Sequence, residues 1–174
     1  MKVLVISDTH HRINRVDRVL EIFRDKGIEH IIHAGDHLQD AKDIEAKYPH
    51  IQVHKVPGNC DMEGYGSDTS KLIRISGIPI FIAHGHKHHV KYDYEEIFID
   101  AVAHEAKVAI FGHSHSAYKE RKEGIILLNP GSISEPRDTT MPSFATLDIE
   151  NHEVKNVEIL QLLGKESIGR HPYF

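Results

Sequence analysis

Several features that give other proteins their character are scarce in this chain. There is one cysteine, Cys60, among 174 residues, so no intramolecular disulfide can form. That suits a reducing compartment, and a cytoplasmic protein is the expectation. Positive charge is not in excess: 21 Lys and Arg stand against 26 Asp and Glu, a formal net charge of −5. Broad binding to nucleic acid or an acidic membrane surface is therefore not expected, because both need a basic footprint. No apolar run approaches the roughly 20 residues that span a bilayer. The stretch Met1–Ile6 is too short for the core of a signal peptide and runs straight into Ser7-Asp8-Thr9-His10. Internal repeats, low-complexity segments and linkers are lacking too. A single domain over residues 1–174, large enough for a real core, is the reading.

Histidine is abundant instead, with 16 residues. The most conspicuous group is Phe111-Gly112-His113-Ser114-His115, which follows the apolar run Lys107–Ile110. Gly112 is expected to let the chain turn as the strand ends. In extended chain His113 and His115 point to the same side, where two imidazoles can hold a transition metal. Chance alone gives roughly one or two His-x-His pairs at this histidine content, so the pair needs company.

The chain supplies it. Val3–Ile6 reads as a strand buried on both faces. Ile13, Val16, Val19, Leu20 and Phe23 fall at helical spacing, with Gly27 closing that segment. Strands are expected over 31–34 and 51–56, with a short helix over 41–48 stopped by Pro49. Residues 63–70 read as a loop, 72–75 and 78–83 as a hairpin, and 93–105 as a helix. Beyond the strand at 107–110, the stretches 118–122, 125–128, 143–149 and 154–163 read as an antiparallel set. The tail 164–174 is polar and is expected on the surface.

Five of these apolar runs end in possible metal ligands: Asp8 and His10, then Asp36, Asn59, His84, and finally His113 and His115. Ligand sites in open α/β sheets lie beyond the carboxyl ends of the strands, so these residues should converge. The donors are nitrogen and oxygen, with no thiolate. They suit Mn, Fe, Ni, Co or Zn in five- or six-coordinate geometry. They are too many for one such ion and about right for two. Two metals roughly 3.5–4 Å apart can clamp the attacking and leaving oxygens of a phosphoryl transfer.

In order, Asp8-Thr9-His10, Gly35-Asp36, Gly58-Asn59, His84-Gly85 and Gly112-His113-Ser114-His115 resemble the five motifs of calcineurin-like metallophosphoesterases. Size and spacing are similar to those of the small bacterial and archaeal phosphodiesterases. Asn129-Pro130-Gly131-Ser132 and the 143–149 strand fit the same group. The resemblance spans nearly the whole chain. It implies a four-layer αββα sandwich of two mixed sheets. It implies one metal on Asp8, His10, Asp36 and His115, and another on Asp36, Asn59, His84 and His113, with Asp36 bridging. Manganese is favoured, and Asp36, Asn59 and His84 belong to the catalytic set. The implied reaction is cleavage of a small phosphodiester by a metal-bridging hydroxide.

One position departs from many relatives. The residue after Asn59 is Cys60, where they carry a histidine thought to protonate the leaving group or hold the phosphate. A thiol, with a reference pKa of about 8.5, is the poorer acid near neutral pH, which counts against monoesters with poor leaving groups. Cys60 and His86 are the candidate substrate contacts. Asp61 is placed to orient a ligand or fix the turn. Lys87, Ser132 and Arg137 are secondary candidates, and His11 and His37 adjoin ligands without a motif of their own. Two rival readings stand beside the phosphodiesterase. One is a phosphomonoesterase. The other is a non-catalytic metal-binding scaffold, as in the retromer subunit that shares this fold. A homodimer through the exposed strands of the second half is a further expectation.

Overall fold

The run Lys2–Ile6 has its last four residues fully buried, and its neighbours explain why both faces need to be apolar. In the computed structural model this strand, β1, lies inside a six-stranded sheet. The structure describes residues 1–61, 68–139, 141–164 and 167–174. The expected loop over 63–70 falls outside the described residues up to position 67, and Ser70 already begins a strand.

In chain order the elements are β1 (Lys2–Ile6), α1 (Ile13–Ile22), β2 (Ile28–His33), α2 (Leu38–Lys47), β3 (Gln52–Lys55), β4 (Ser70–Ile75) and β5 (Ile78–Ala83). Then come α3 (Glu95–Ala103), β6 (Val108–Ile110), β7 (Ala117–Lys122), β8 (Ile125–Pro130), β9 (Ser143–Glu150), β10 (Glu153–Leu162) and β11 (Ile168–Arg170). The first sheet has the order β11-β10-β9-β1-β2-β3 and the second β4-β5-β6-β8-β7. Both are mixed. β1, β2 and β3 run parallel, while β9 pairs antiparallel with β1 and β10. In the second sheet β5, β6 and β8 run parallel, flanked by antiparallel β4 and β7.

Three apolar clusters make the layers. Between the sheets, Val3, Val5 and Ile32 meet Ile80, Ile82 and Ile110. On the outer face of the first sheet, Leu4, Ile6 and Ile31 pack against Val16, Val19 and Leu20 of α1 and Ala41 and Ile44 of α2. On the outer face of the second, Phe81 and Ala109 pack against Ile97, Phe98 and Ala101 of α3. The order is helix, sheet, sheet, helix, as expected. Strands covered on both sides read as unbroken apolar runs.

Three expectations need correction. The late strands are not one antiparallel set. The β7–β8 hairpin joins the second sheet and β9–β10 the first, because β8 is taken up parallel to β6 and only β9 finds room beside β1. The tail is not simply surface: β11 pairs with Leu160–Leu162, and His171 is buried, with its ring against Tyr173 and Phe174. The helices are offset: α2 runs over Leu38–Lys47, starting three residues before the expected 41–48, and α3 is shorter than 93–105. Helix ends are the features that apolar spacing locates least well.

Candidate metal centre

The sandwich brings the carboxyl ends of strands from both sheets to one place. β1, β2 and β3 deliver Asp8, His10, Asp36 and Asn59 from the first sheet. β5 and β6 deliver His84, His113 and His115 from the second. The site thus lies where two sheets meet, not at the crevice of a single open sheet.

The backbone at these strand ends is forced. Asp8, His10, Asp36, His113 and His115 all have positive φ, between 41° and 67°. Left-handed non-glycine residues cost of order 1–3 kcal/mol each and collect where function fixes the geometry. The extended-chain argument for His113 and His115 therefore fails. Their side chains meet different neighbours: His113 packs against His84, and His115 against His10. The role of Gly112 also differs from the expectation. It is needed for close approach, because a Cβ there would collide with Ser7 Oγ and sit 2.8 Å from Asp8 Oδ2. Gly58 does the same on the other side, where a Cβ would run into the Asp36 backbone.

Asp8, His10, Asp36 and His115 each offer a ligand atom, all within 4.8 Å of one another. His10 Nε2 is 3.2 Å from Asp36 Oδ2 and 3.3 Å from His115 Nε2. His115 Nε2 is 3.3 Å from Asp8 Oδ1. The other nitrogen of His115, Nδ1, lies 2.7 Å from the Glu135 carbonyl, which can only accept, so Nδ1 carries the proton. In the neutral ring Nε2 is then a bare lone pair facing the carboxylate oxygen. Asp8 is fully buried, and its Oδ1 has no hydrogen-bond donor. Two acceptors held this close need a positive charge between them, either a proton or a metal ion. The titration properties express the same need. Burial lowers the His115 pKa, but the Asp8 carboxylate, which would accept a bond from protonated His115 and attracts its charge, outweighs it and the net shift is upward. Burial raises Asp8, but His115 and His84 bring it below the ordinary carboxylate value.

The second group repeats the pattern. His84 Nδ1 donates to the Ala34 carbonyl at 2.9 Å, which again leaves Nε2 bare. That nitrogen faces the amide oxygen of Asn59 at 3.1 Å and Asp36 Oδ1 at 3.9 Å. His113 packs beside them, its ring centroid 5.0 Å from that of His84. Burial, followed by repulsion from His84, pushes the His113 pKa down to about 4, so it stands as a neutral donor. Asp36 divides its oxygens: Oδ2 faces the first group and Oδ1 the second, where it also accepts from the Cys60 backbone N–H at 3.0 Å. Of the seven expected ligand residues, Asp8, His10, Asp36 and His115 form one tight group, His84 and Asn59 face each other beside Asp36, and His113 lies against the His84 ring. Nitrogen and oxygen donors of this kind fit divalent transition metals.

The other candidates sort by what they touch. His86 is half-buried at the rim, with its ring near His84 and His113 and a buried Nδ1 that has no partner. Cys60 is exposed, and burial of its thiol together with Asp36 pushes its pKa up to about 12. Asp61 fixes the turn, accepting from the Gly58 and Leu38 backbone N–H groups at 2.8 and 2.6 Å. Ser132 is fully buried, donating to the Asp8 carbonyl and accepting from the Ser134 and Glu135 N–H groups, so it braces the site. Asn129 donates to the Gly112 carbonyl at 2.9 Å and to Ser114 Oγ. Lys87 and Arg137 are exposed.

Sequence reasoning missed a buried chain behind β1. Gly35 N–H donates to His33 Nδ1, so Nε2 carries the proton and donates to Thr9 Oγ1 at 3.1 Å. The Thr9 hydroxyl donates on to Asp40 Oδ2 at 2.5 Å, and the His11 backbone N–H reaches the same oxygen at 2.8 Å. The one available signal was an aspartate in the first turn of α2 on the face that packs inward.

Comparison with known proteins agrees with this geometry. The profile of the calcineurin-like phosphoesterase superfamily domain matches residues 1–152. The chain is 33% identical over 167 residues to the probable metallophosphoesterase YsnB of Bacillus subtilis, covering 95% of this chain and 94% of that one. It is 26% identical to the phosphodiesterase MJ0936 of Methanocaldococcus jannaschii, covering 90% and 98%. Among solved structures, wild-type Vps29 of Entamoeba histolytica complexed with Zn2+ superposes with a TM-score of 0.75 at 26% identity, covering 98% and 97%. The chain belongs to the calcineurin-like phosphoesterase superfamily.

Proposed function

We propose that the protein hydrolyses small phosphodiesters using two divalent transition-metal ions, of which manganese is favoured over Ni, Fe, Co or Zn. Asp8, His10, Asp36 and His115 would hold one ion, and Asp36, Asn59, His84 and His113 the other. The observation that carries this reading is the pair of acceptor–acceptor contacts, His115 Nε2 to Asp8 Oδ1 and His84 Nε2 to Asn59 Oδ1. Each is built by a carbonyl that fixes the far nitrogen as donor.

When bound, such ions supply Lewis acidity toward phosphoryl oxygens and acidify water. The chain's own residues do the rest. Carbonyls of Ala34 and Glu135 keep the two imidazoles turned inward. Asp36 shares its carboxylate between both groups. His86 offers a polar contact to the substrate at the rim. Cys60 stays a thiol, because burial and the neighbouring carboxylates disfavour its ionisation. It serves as neither base nor nucleophile, and as a weak acid it suits diesters whose leaving group needs little help. The name of the Methanocaldococcus relative points the same way. A non-catalytic scaffold is the rival, since the fold is shared with Vps29.

Hydrolysis of a chromogenic aryl phosphodiester, set against the matching monoester, tests the reading. Metal-stripped protein with manganese restored should cleave the diester and prefer it. Metal-loaded protein inert toward diesters would instead favour the scaffold.

A further inference from the structure

A second tight group of donors lies on the rim, outside both proposed coordination sets except for one shared residue. Asp36, His37 and Cys60 each place a ligand atom within 4.8 Å of the others. Cys60 is exposed and His37 half-buried, so the group is open to solvent while Asp36 lies beneath it. Its chemistry differs from that of the centre, where every donor is nitrogen or oxygen. Here a sulfur joins an imidazole and a carboxylate, the mixed set that thiophilic ions such as Zn2+ and Cd2+ take in preference to Mn2+.

The backbone builds this arrangement. His37 has φ of 72°, a left-handed conformation, directly after the left-handed Asp36. Asp61, bonded to the N–H groups of Gly58 and Leu38, ties the Cys60 turn to the start of α2. The Cys60 N–H donates to Asp36 Oδ1, and the Asn59 amide lies 3.5 Å from the Cys60 sulfur.

We propose that Cys60, His37 and Asp36 form a third, inhibitory site for a thiophilic divalent cation. The inference rests on the dinuclear phosphodiesterase reading for its inhibitory effect and in sharing Asp36. The ion replaces the thiol proton, which leaves to solvent, and no oxidation is involved. Occupancy reaches the centre along two lines. Asp36 would be drawn upon from three sides. His37, whose Nε2 is 3.3 Å from His10 Nδ1, would be taken from its contact with that ligand.

Cadmium reports the site directly, because a cadmium–thiolate bond absorbs in the ultraviolet and Cys60 is the sole cysteine. Manganese-loaded protein is titrated with Cd2+ while released Mn2+ is measured. The expected result is a thiolate band that saturates at one added ion per chain. It should be abolished in Cys60→Ser and shifted to roughly tenfold higher cadmium, or more, in His37→Ala. Diester hydrolysis should fall in step with the band. A band indifferent to His37 would mean that the thiol acts alone, which overturns the site. Cadmium displacing manganese with no band overturns it as well. Protein that shows the His37-dependent band but cleaves no diester keeps the cation site and loses its inhibitory role together with the phosphodiesterase reading, whereas a band that saturates with hydrolysis unchanged overturns the inhibitory role alone.

Discussion

Asp36 is where the two halves of the centre meet, with one carboxylate oxygen toward His10 and the other toward His84. Residues of this kind were legible in the sequence because each candidate ligand follows an apolar run, and five such endings in order leave little to chance. Residues that act from behind were not. Asn129, Ser132 and the Glu135 carbonyl brace the ligands through contacts 17 to 124 positions away in the chain, which no local pattern announces. Glycine roles also depend on neighbours that are distant in sequence. Gly112 does not have a positive φ but lies against Ser7 and Asp8. Gly112→Ala should destabilise the fold by about 1–3 kcal/mol, the usual cost of overpacking. It should also weaken metal binding, since the added carbon crowds Asp8. Denaturant midpoints and metal titration of the same variant check both effects.

At the scale of elements, the strands were legible as apolar runs, and their endings marked the site. Their allocation to two sheets was not, since pairing partners depend on crossovers that local periodicity does not encode. The positive φ values at five candidate ligands belong here too, as a feature of the short loops that follow the strands. Helix α2 has a role beyond covering the first sheet. Its first turn carries Asp40, buried against Thr9 and the His11 N–H. Asp40→Ala would leave those donors without an acceptor, at about 1–3 kcal/mol for a buried group. Through Thr9 and His11, which flank His10 in the loop, it should lower metal affinity about 10- to 100-fold. Calorimetric titration with Mn2+ measures this, and an unchanged affinity would reduce Asp40 to a helix anchor. Edge strands differ in how inviting they are. β7 carries Lys119, Glu120, Arg121 and Lys122, and β11 has only three residues. Charge and shortness both oppose edge-to-edge pairing, so the second-half strands are poor edges for the expected homodimer.

At the scale of the whole molecule, two sheets close over an apolar core, and the buried polar groups Asp8, Asp36, His84 and His115 gather where strands of both sheets end. No described helix is long and apolar enough to cross a membrane. The cost of the buried imidazoles shows in the pH dependence of stability. Burial, only partly offset by Asp40 and Asp8, pushes the His33 pKa from 6.5 down to about 4. Below pH 6.5 the unfolded chain takes up a proton that folded His33 refuses. Stability of metal-free protein should therefore fall progressively as pH drops from 6.5 toward 4. Unfolding free energies measured across that window should show the loss, and His33→Gln should flatten part of the slope.

The central claim is that one carboxylate joins two metal positions, and metal content tests it most directly. Elemental analysis after manganese loading and desalting should give two ions per chain. His115→Ala and His84→Ala should each keep one, and Asp36→Asn should keep neither at full occupancy. An Asp36→Asn protein that still holds two ions, or a His84→Ala protein that loses none, would contradict the shared centre.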